Sequence, residues 1–158
     1  MEATTACRSC TGSRTIADLL PRAAALFGDH VAVKHKDADG DWRAVSFVEV
    51  EEIARDVGRG LLDPGIAAGE HVSLLCATRP EWTYASFGIT ETGAVVVPIY
   101  PTNSPQECEW VLSDSESVAV LCEDAAQVEK VGGCVRRSPA RRRSPRRSSS
   151  SSGRAACR

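Results

Sequence analysis

The chain has 158 residues, which allows one ordinary domain, or a domain plus a tail, but not a large multi-lobed enzyme. Its net charge of −2 hides two unlike parts. Residues 1–131 carry 10 Lys and Arg against 21 Asp and Glu, a net −11, whereas residues 132–158 carry nine Arg and no acid. Seven cysteines at irregular spacing, with no signal-peptide pattern before them, favour a reducing compartment. We expect a cytoplasmic protein without a membrane span, since no apolar run approaches the roughly 20 residues that a span needs.

Helix starts are marked by hydroxyl residues that stand three positions before an acid. Such pairs satisfy two orphan backbone N–H groups reciprocally and predict helix N-termini. Residues 1–14, before the first pair, are predicted to be a disordered lead-in. The second helix should end before Gly65, where Pro64 removes a helix hydrogen bond and disfavours helical geometry at Asp63, so that this end frays. The four pairs are Thr15–Asp18, Ser46–Glu49, Thr78–Glu81 and Ser104–Glu107.

Short runs rich in β-branched residues between these helices predict strands. A turn at Asp39-Gly40-Asp41 predicts a hairpin between Val31–Lys36 and Trp42–Phe47. From His71 onward strands alternate with helices, which predicts an α/β fold with a partial parallel sheet and flanking helices. Three strands form a small parallel sheet, so we expect uncovered edges and an uncovered face, as in part of a larger domain. The remaining runs are His71–Cys76, Ala94–Ile99 and Ser117–Cys122.

Several motifs resemble those of one enzyme family. The segment Gly93–Thr102, with Val-Pro-Ile-Tyr-Pro-Thr at its end, is similar to a signature of adenylate-forming enzymes, in the form found in long-chain fatty acyl-CoA synthetases. Arg79-Pro80-Glu81-Trp82 resembles a helix start of that branch, and Ser46–Val50 resembles an early element of the superfamily. Ser113–Ser115 followed by Val118–Val120 resembles its next helix-to-strand turn. Residues 15–131 are therefore expected to form an N-terminal piece of an AMP-dependent synthetase/ligase domain.

The resemblance implies the function of a long-chain fatty acid–CoA ligase. Such an enzyme uses ATP and Mg to convert a fatty acid to an acyl-adenylate, and CoA then displaces AMP. That chemistry needs a Gly- and Ser/Thr-rich phosphate loop with a Lys, an acid for the ribose and a late Lys. The sequence has no Thr-Gly-rich loop followed by Pro-Lys-Gly, and no Lys after Lys130. We therefore assign no catalytic, cofactor-binding or metal residue, and expect the chain to be inactive and not to bind fatty acid, ATP or CoA.

The Arg/Ser-rich segment 132–158 has almost no apolar bulk and is predicted to be disordered. Because the resemblance stops at Val131, a frameshift in a GC-rich coding sequence is our preferred explanation for it. The alternative is a non-catalytic protein that binds RNA, anionic lipid or an acidic partner through this basic tail. A third reading is a subunit that docks onto another chain.

Other residues that carry chemistry have simpler interpretations. Cys7 and Cys10 have metal-ligand spacing but lack a second pair. Trp42, Trp82 and Trp110 could be a base-stacking or lipid-facing set, but Trp82 and Trp110 are predicted instead to pack between helix and sheet. The remaining groups are predicted to be small buried residues (Cys76, Cys108, Cys122), solvent-facing or strand-starting histidines (His30, His35, His71) and a solvated acidic helix face (Glu49, Glu51, Glu52, Asp56).

Overall fold

The structure, a computed structural model, describes residues 11–132. Helices and strands alternate along most of this range, as an α/β fold requires. Among the described residues, no helix has both the length and the apolar character to cross a membrane. The elements are α1 (Leu19–Phe27), β1 (Val31–Lys36), β2 (Trp42–Ser46), α2 (Phe47–Leu62), β3 (His71–Leu75), α3 (Pro80–Glu91), β4 (Val95–Ile99), α4 (Pro105–Asp114), β5 (Ala119–Cys122) and α5 (Ala125–Gly132).

Two of the predicted helix starts form complete capping boxes. The Ser46 hydroxyl accepts the backbone N–H of Glu49 at 3.3 Å, and the Glu49 carboxylate accepts the backbone N–H of Ser46 at 2.8 Å. Ser104 and Glu107 repeat this arrangement at 3.3 and 2.7 Å. Both predictions are confirmed, and α2 and α4 start one residue after their capping serines.

The predicted third helix is present as α3, but the prediction that Thr78 and Glu81 cap it is wrong. The residue that caps α3 is Arg79, whose extended backbone (φ −148°, ψ 165°) directly precedes Pro80, and no side chain caps this helix. A residue before proline is driven out of helical geometry, so the helix cannot start earlier. The Glu81 carboxylate instead accepts two hydrogen bonds from the Arg79 guanidinium, at 2.8 and 3.1 Å.

The Thr15–Asp18 pair forms its bonds but does not start the helix where expected. Thr15 Oγ accepts the Asp18 N–H at 3.2 Å, and Asp18 Oδ1 accepts the Thr15 N–H at 2.8 Å. These bonds close a turn before α1, which begins only at Leu19. Reciprocal side-chain bonds therefore mark the approach to this helix rather than its first residue.

The end of α2 differs from the prediction. Asp63 keeps helical dihedral angles (φ −56°, ψ −48°), and its N–H reaches the Arg59 carbonyl at 3.3 Å. Pro64 lies beyond the last helical residue, where its missing N–H removes no helix bond. Gly65, at φ 87°, then closes the turn by donating to the Leu62 carbonyl at 2.9 Å. The proline follows this helix without unwinding it.

The strands form two separate sheets. The predicted hairpin is confirmed: β1 and β2 pair antiparallel, with Lys34 opposite Ala44 and Lys36 opposite Trp42. The predicted parallel sheet is confirmed in the order β4-β3-β5. Strand β3 is central and its last four residues are buried, as expected for a strand paired on both sides.

Helices pack on both faces of the parallel sheet, so the expectation of an uncovered face is wrong. On one face, Leu61 of α2 and Ile89 of α3 cluster with Val72. On the other, Cys108 of α4 and Val131 of α5 cluster with Leu75. Alternation along a strand sends Val72 and Leu75 to opposite faces. The edge strands β4 and β5 pair with no further strand within residues 11–132.

The predicted burial of Trp110 and the predicted exposure of Glu51 are both wrong, for reasons of helix geometry. Trp110 is 66% exposed, because Cys108 occupies the core side of α4 and a residue two positions later lies on the opposite side. Glu51 is only 6% exposed and pairs with the Arg55 guanidinium, although Glu49, Glu52 and Asp56 are solvent-exposed as predicted.

Helices α2 and α3 cross at two glycines. A Cβ on Gly88 would lie 2.6 Å from the Ala54 carbonyl oxygen and 2.8 Å from Val57 Cβ. A Cβ on Gly58 would lie 3.1 Å from the Gly88 carbonyl oxygen. The close approach of these helices therefore requires glycine, above all at Gly88.

Replacing Gly88 with Ala should destabilise the protein by about 1–3 kcal/mol, because the added methyl overlaps backbone atoms that cannot move independently. Gly60→Ala is the matched control, since nothing lies within 4 Å of its Cβ position in α2. It should stabilise by about 0.5–1 kcal/mol through helix propensity. Urea unfolding followed by circular dichroism measures both. Equal effects in the two variants would contradict the close crossing.

Candidate functional site

The carboxyl ends of β3, β4 and β5 meet at one edge of the parallel sheet. Open α/β sheets bind ligands at this edge, so it is the natural place to look for a site. The segments that follow the three strands there are Cys76–Arg79, Tyr100–Ser104 and Glu123–Asp124.

Glu123 links the segments that follow β3 and β5. Its Oε2 accepts the backbone N–H of Ala77 at 2.7 Å. The thiol of the neighbouring Cys76 is 8% exposed and donates to the Ala77 carbonyl at 3.3 Å. Burial, followed by the hydrogen bond and negative charge of Glu123, raises the pKa of Cys76 to about 11. This cysteine is therefore a protonated, structural thiol at neutral pH.

Two basic groups at this edge, among the residues that the structure describes, are also engaged. The Arg79 guanidinium holds the Glu81 carboxylate and lowers the pKa of Glu81 below its usual value. Lys130 in α5 donates to the Pro101 carbonyl at 2.6 Å and so ties α5 to the segment after β4. The groups that could attract a phosphate thus bind groups of the chain itself.

A second group of charges lies between α2 and α3. Glu51 pairs with Arg55, and Glu91 approaches from the facing helix. Burial is the main cause that raises the pKa of Glu91, and the charge of Glu51 raises it further. Within residues 11–132, Glu91 Oε1 is buried without a hydrogen-bond partner. The sequence signal for this group is helical spacing, since Glu51 shares a stripe with Ala54 and Gly58.

The structure does not bring the remaining predicted residues into one constellation. His30 is exposed, His35 is half-buried in β1, and His71 starts β3. Cys76 and Cys108 are buried as predicted and Cys122 is half-buried; all three are free thiols. Across residues 11–132, no group of three His, Cys, Asp or Glu side chains is placed to hold a metal ion. Cys7 and Cys10 lie outside the described residues.

Comparison with known proteins gives a consistent result. The family model of the AMP-binding enzymes matches residues 20–153, which includes part of the Arg/Ser-rich segment. A long-chain-fatty-acid–CoA ligase of Mycobacterium bovis, FadD15, is 40% identical over 100 residues, covering 61% of this chain and 17% of the relative. The Drosophila melanogaster long-chain-fatty-acid–CoA ligase heimdall is 34% identical over 98 residues, covering 62% and 14%. The chain thus spans under a fifth of the length of these relatives.

Solved structures show the same fold. An anthranilate CoA ligase, AuaEII, superposes with a TM-score of 0.65 at 29% identity, covering 76% of this chain and 23% of that one. A Brucella canis acyl-CoA synthetase superposes with a TM-score of 0.62 at 25% identity, covering 66% and 19%. In both comparisons the matched part is less than a quarter of the solved chain.

The state of Cys76 can be measured by alkylation. At pH 8, a thiol with pKa about 11 holds about a hundredfold less thiolate than one at the ordinary value of 9.0. Iodoacetamide labelling of the folded protein, mapped by mass spectrometry, should therefore modify Cys76 slowly and urea should remove the protection. Glu123→Gln should speed the reaction by removing a negative charge. Rapid labelling of Cys76 in the folded protein would contradict the assigned environment.

Proposed function

The chain belongs to the AMP-binding enzyme family, and from that membership we propose that it is an amino-terminal part of a long-chain fatty acid–CoA ligase. The single observation that carries the proposal is the identity with long-chain ligases over about 100 residues. The segment Val95–Thr102, which forms β4 and the turn after it, contributes the motif typical of that branch.

The proposed reaction of the complete enzyme proceeds in two steps. A fatty acid carboxylate attacks the α-phosphate of ATP, forming an acyl-adenylate and releasing pyrophosphate, and the CoA thiol then displaces AMP to form the thioester. Magnesium and positive groups would offset the charge on the phosphates. The sequence contains no phosphate loop of the required type, and Lys130, its last lysine, is bound to Pro101.

The role proposed for these residues is therefore structural. The buried sheet and its paired charges hold the three segments at the carboxyl edge in place. Glu123 fixes the first segment relative to the third, and Lys130 fixes the second relative to α5. A complete enzyme would use this rigid wall to position groups contributed from elsewhere.

Purified chain should not release pyrophosphate from ATP in response to a long-chain fatty acid, because the groups that bind and polarise the phosphates are absent from its sequence. A coupled pyrophosphate assay with palmitate, ATP, Mg and CoA measures this. A full-length ligase of the family serves as the positive control. Activity that co-elutes with the chain and scales with its amount would overturn the proposal.

The second candidate function is polyanion binding by the tail, favoured by its nine Arg residues and lack of acids. Such binding is dominated by counterion release, so its affinity should fall steeply as salt rises, with little dependence on sequence. Fluorescence anisotropy with two unrelated single-stranded RNAs across a salt series tests this. Tight binding of one RNA at physiological salt would instead make nucleic-acid recognition the primary function.

A further inference from the structure

The β1–β2 hairpin has one face that no described residue covers. Residues paired across an antiparallel ladder point to the same side, and positions two apart share that side. The pairs Lys34–Ala44 and Lys36–Trp42 therefore form one surface, which we name the hairpin outer face. All four residues are solvent-exposed, and Trp42 is 68% exposed.

The opposite side of the hairpin is anchored in the core. Val33 and Val45 pack against a cluster that contains Val50 and Ala54 of α2 and Tyr84 of α3. This packing fixes which face of the ribbon looks outward. The hairpin outer face thus belongs to an element that is packed against the core, not to a loop.

The composition of the hairpin outer face is that of an interfacial surface. The Lys36 ammonium lies 5.6 Å from the centre of the Trp42 ring, close enough for a cation–π contact. A large amphipathic ring beside long cationic side chains suits a boundary between apolar and charged layers.

The charges of the hairpin separate along its length. The strands contribute Lys34 and Lys36 to the outer face, with no acid on it. Of the acids in the connecting turn, Asp37 is bound by the Arg43 guanidinium at 2.8 Å, while Asp39 and Asp41 lie at the exposed tip. Contact through the strands, with the tip directed away, brings cations and aromatic surface together against a negative partner.

We propose that the hairpin outer face binds the headgroup layer of an anionic phospholipid bilayer. Trp42 enters the boundary between headgroups and acyl chains, where tryptophan is enriched in membrane proteins. Lys34 and Lys36 pair with phosphate and carboxylate groups of the lipids. This inference depends on the surface chemistry of the hairpin and not on the proposed ligase function.

Single-tryptophan variants test the proposal in the full chain. Trp82→Phe with Trp110→Phe leaves Trp42 as the reporter, and Trp42→Phe with Trp82→Phe leaves Trp110, which is 66% exposed and serves as the matched control. The probe is a vesicle of phosphatidylcholine and phosphatidylserine with brominated acyl chains. Trp42 should shift to shorter wavelength and be quenched, while Trp110 should do neither. This contrast separates contact by the hairpin from tethering by the Arg-rich tail.

Charge removal supplies the second arm, with all three tryptophans kept. Lys34→Ala and Lys36→Ala should each weaken vesicle binding by roughly fivefold. Arg59→Ala, which removes an exposed cation of α2, should not change it. Trp42→Ala tested by vesicle sedimentation remains informative if the double Phe variants fold poorly, and it should also weaken binding.

Three outcomes would overturn the proposal. An unquenched Trp42 in chain that sediments with vesicles would mean that another segment makes the contact. Equal binding by Trp42→Ala and the unaltered chain would exclude a role for the ring. A Trp42 response to single-stranded oligouridylate, without one to vesicles, would assign the hairpin outer face to nucleic acid instead.

Discussion

The close crossing of α2 and α3 at Gly58 and Gly88 is the contact on which the two sheets depend. Helix α2 contributes Val50 and Ala54 to the cluster beneath the hairpin, and Leu61 to the cluster on the parallel sheet. Helix α3 joins the same two clusters. Because packed interiors leave little free volume, a separation of these helices would loosen both clusters together. One pair of helices thus fixes the hairpin relative to the sheet.

The same crossing explains why Glu51 is buried, although it was predicted to lie on a solvated helix face. Glu51, Ala54 and Gly58 follow one another at helical spacing, so the stripe that makes the glycine contact also carries Glu51 inward. On α3 the spacing from Gly88 to Glu91 has the same effect. Arg55 compensates Glu51, whereas Glu91 keeps a raised pKa caused by burial. The acidic residues of α2 are therefore a solvated face only at Glu49, Glu52 and Asp56.

The sequence predicted correctly those features that depend on interactions between neighbouring residues. Ser46 and Ser104 mark helix starts because their bonds involve neighbours only, and alternation of strands and helices predicted the parallel sheet. The prediction that Thr78 caps α3 was wrong because Pro80 constrains the backbone more strongly than a side-chain cap can. The prediction that Trp110 is buried was wrong because residue type gives only a tendency to be buried. The face of α4 on which the residue lies decides whether it is buried. The covering of both sheet faces depends on tertiary packing of α5 that a short segment does not reveal.

In the candidate site, too, local features could be predicted from the sequence and tertiary contacts could not. The lack of a phosphate loop can be seen in the sequence. The ion pair of Arg79 with Glu81 depends on side-chain rotamers, and the hydrogen bond of Glu123 with Ala77 joins residues that only the fold brings together. The hairpin also packs close to the start of α3, because Val33 and Val45 pack against a cluster that contains Tyr84. The hairpin therefore lies near the helix that follows the carboxyl end of β3. An acyl chain held in a bilayer is strongly apolar, and leaving the bilayer exposes it to water at a cost proportional to its length. Under the two proposals made above, a membrane-contacting hairpin near α3 would shorten that transfer for an acyl substrate, although neither proposal depends on the other.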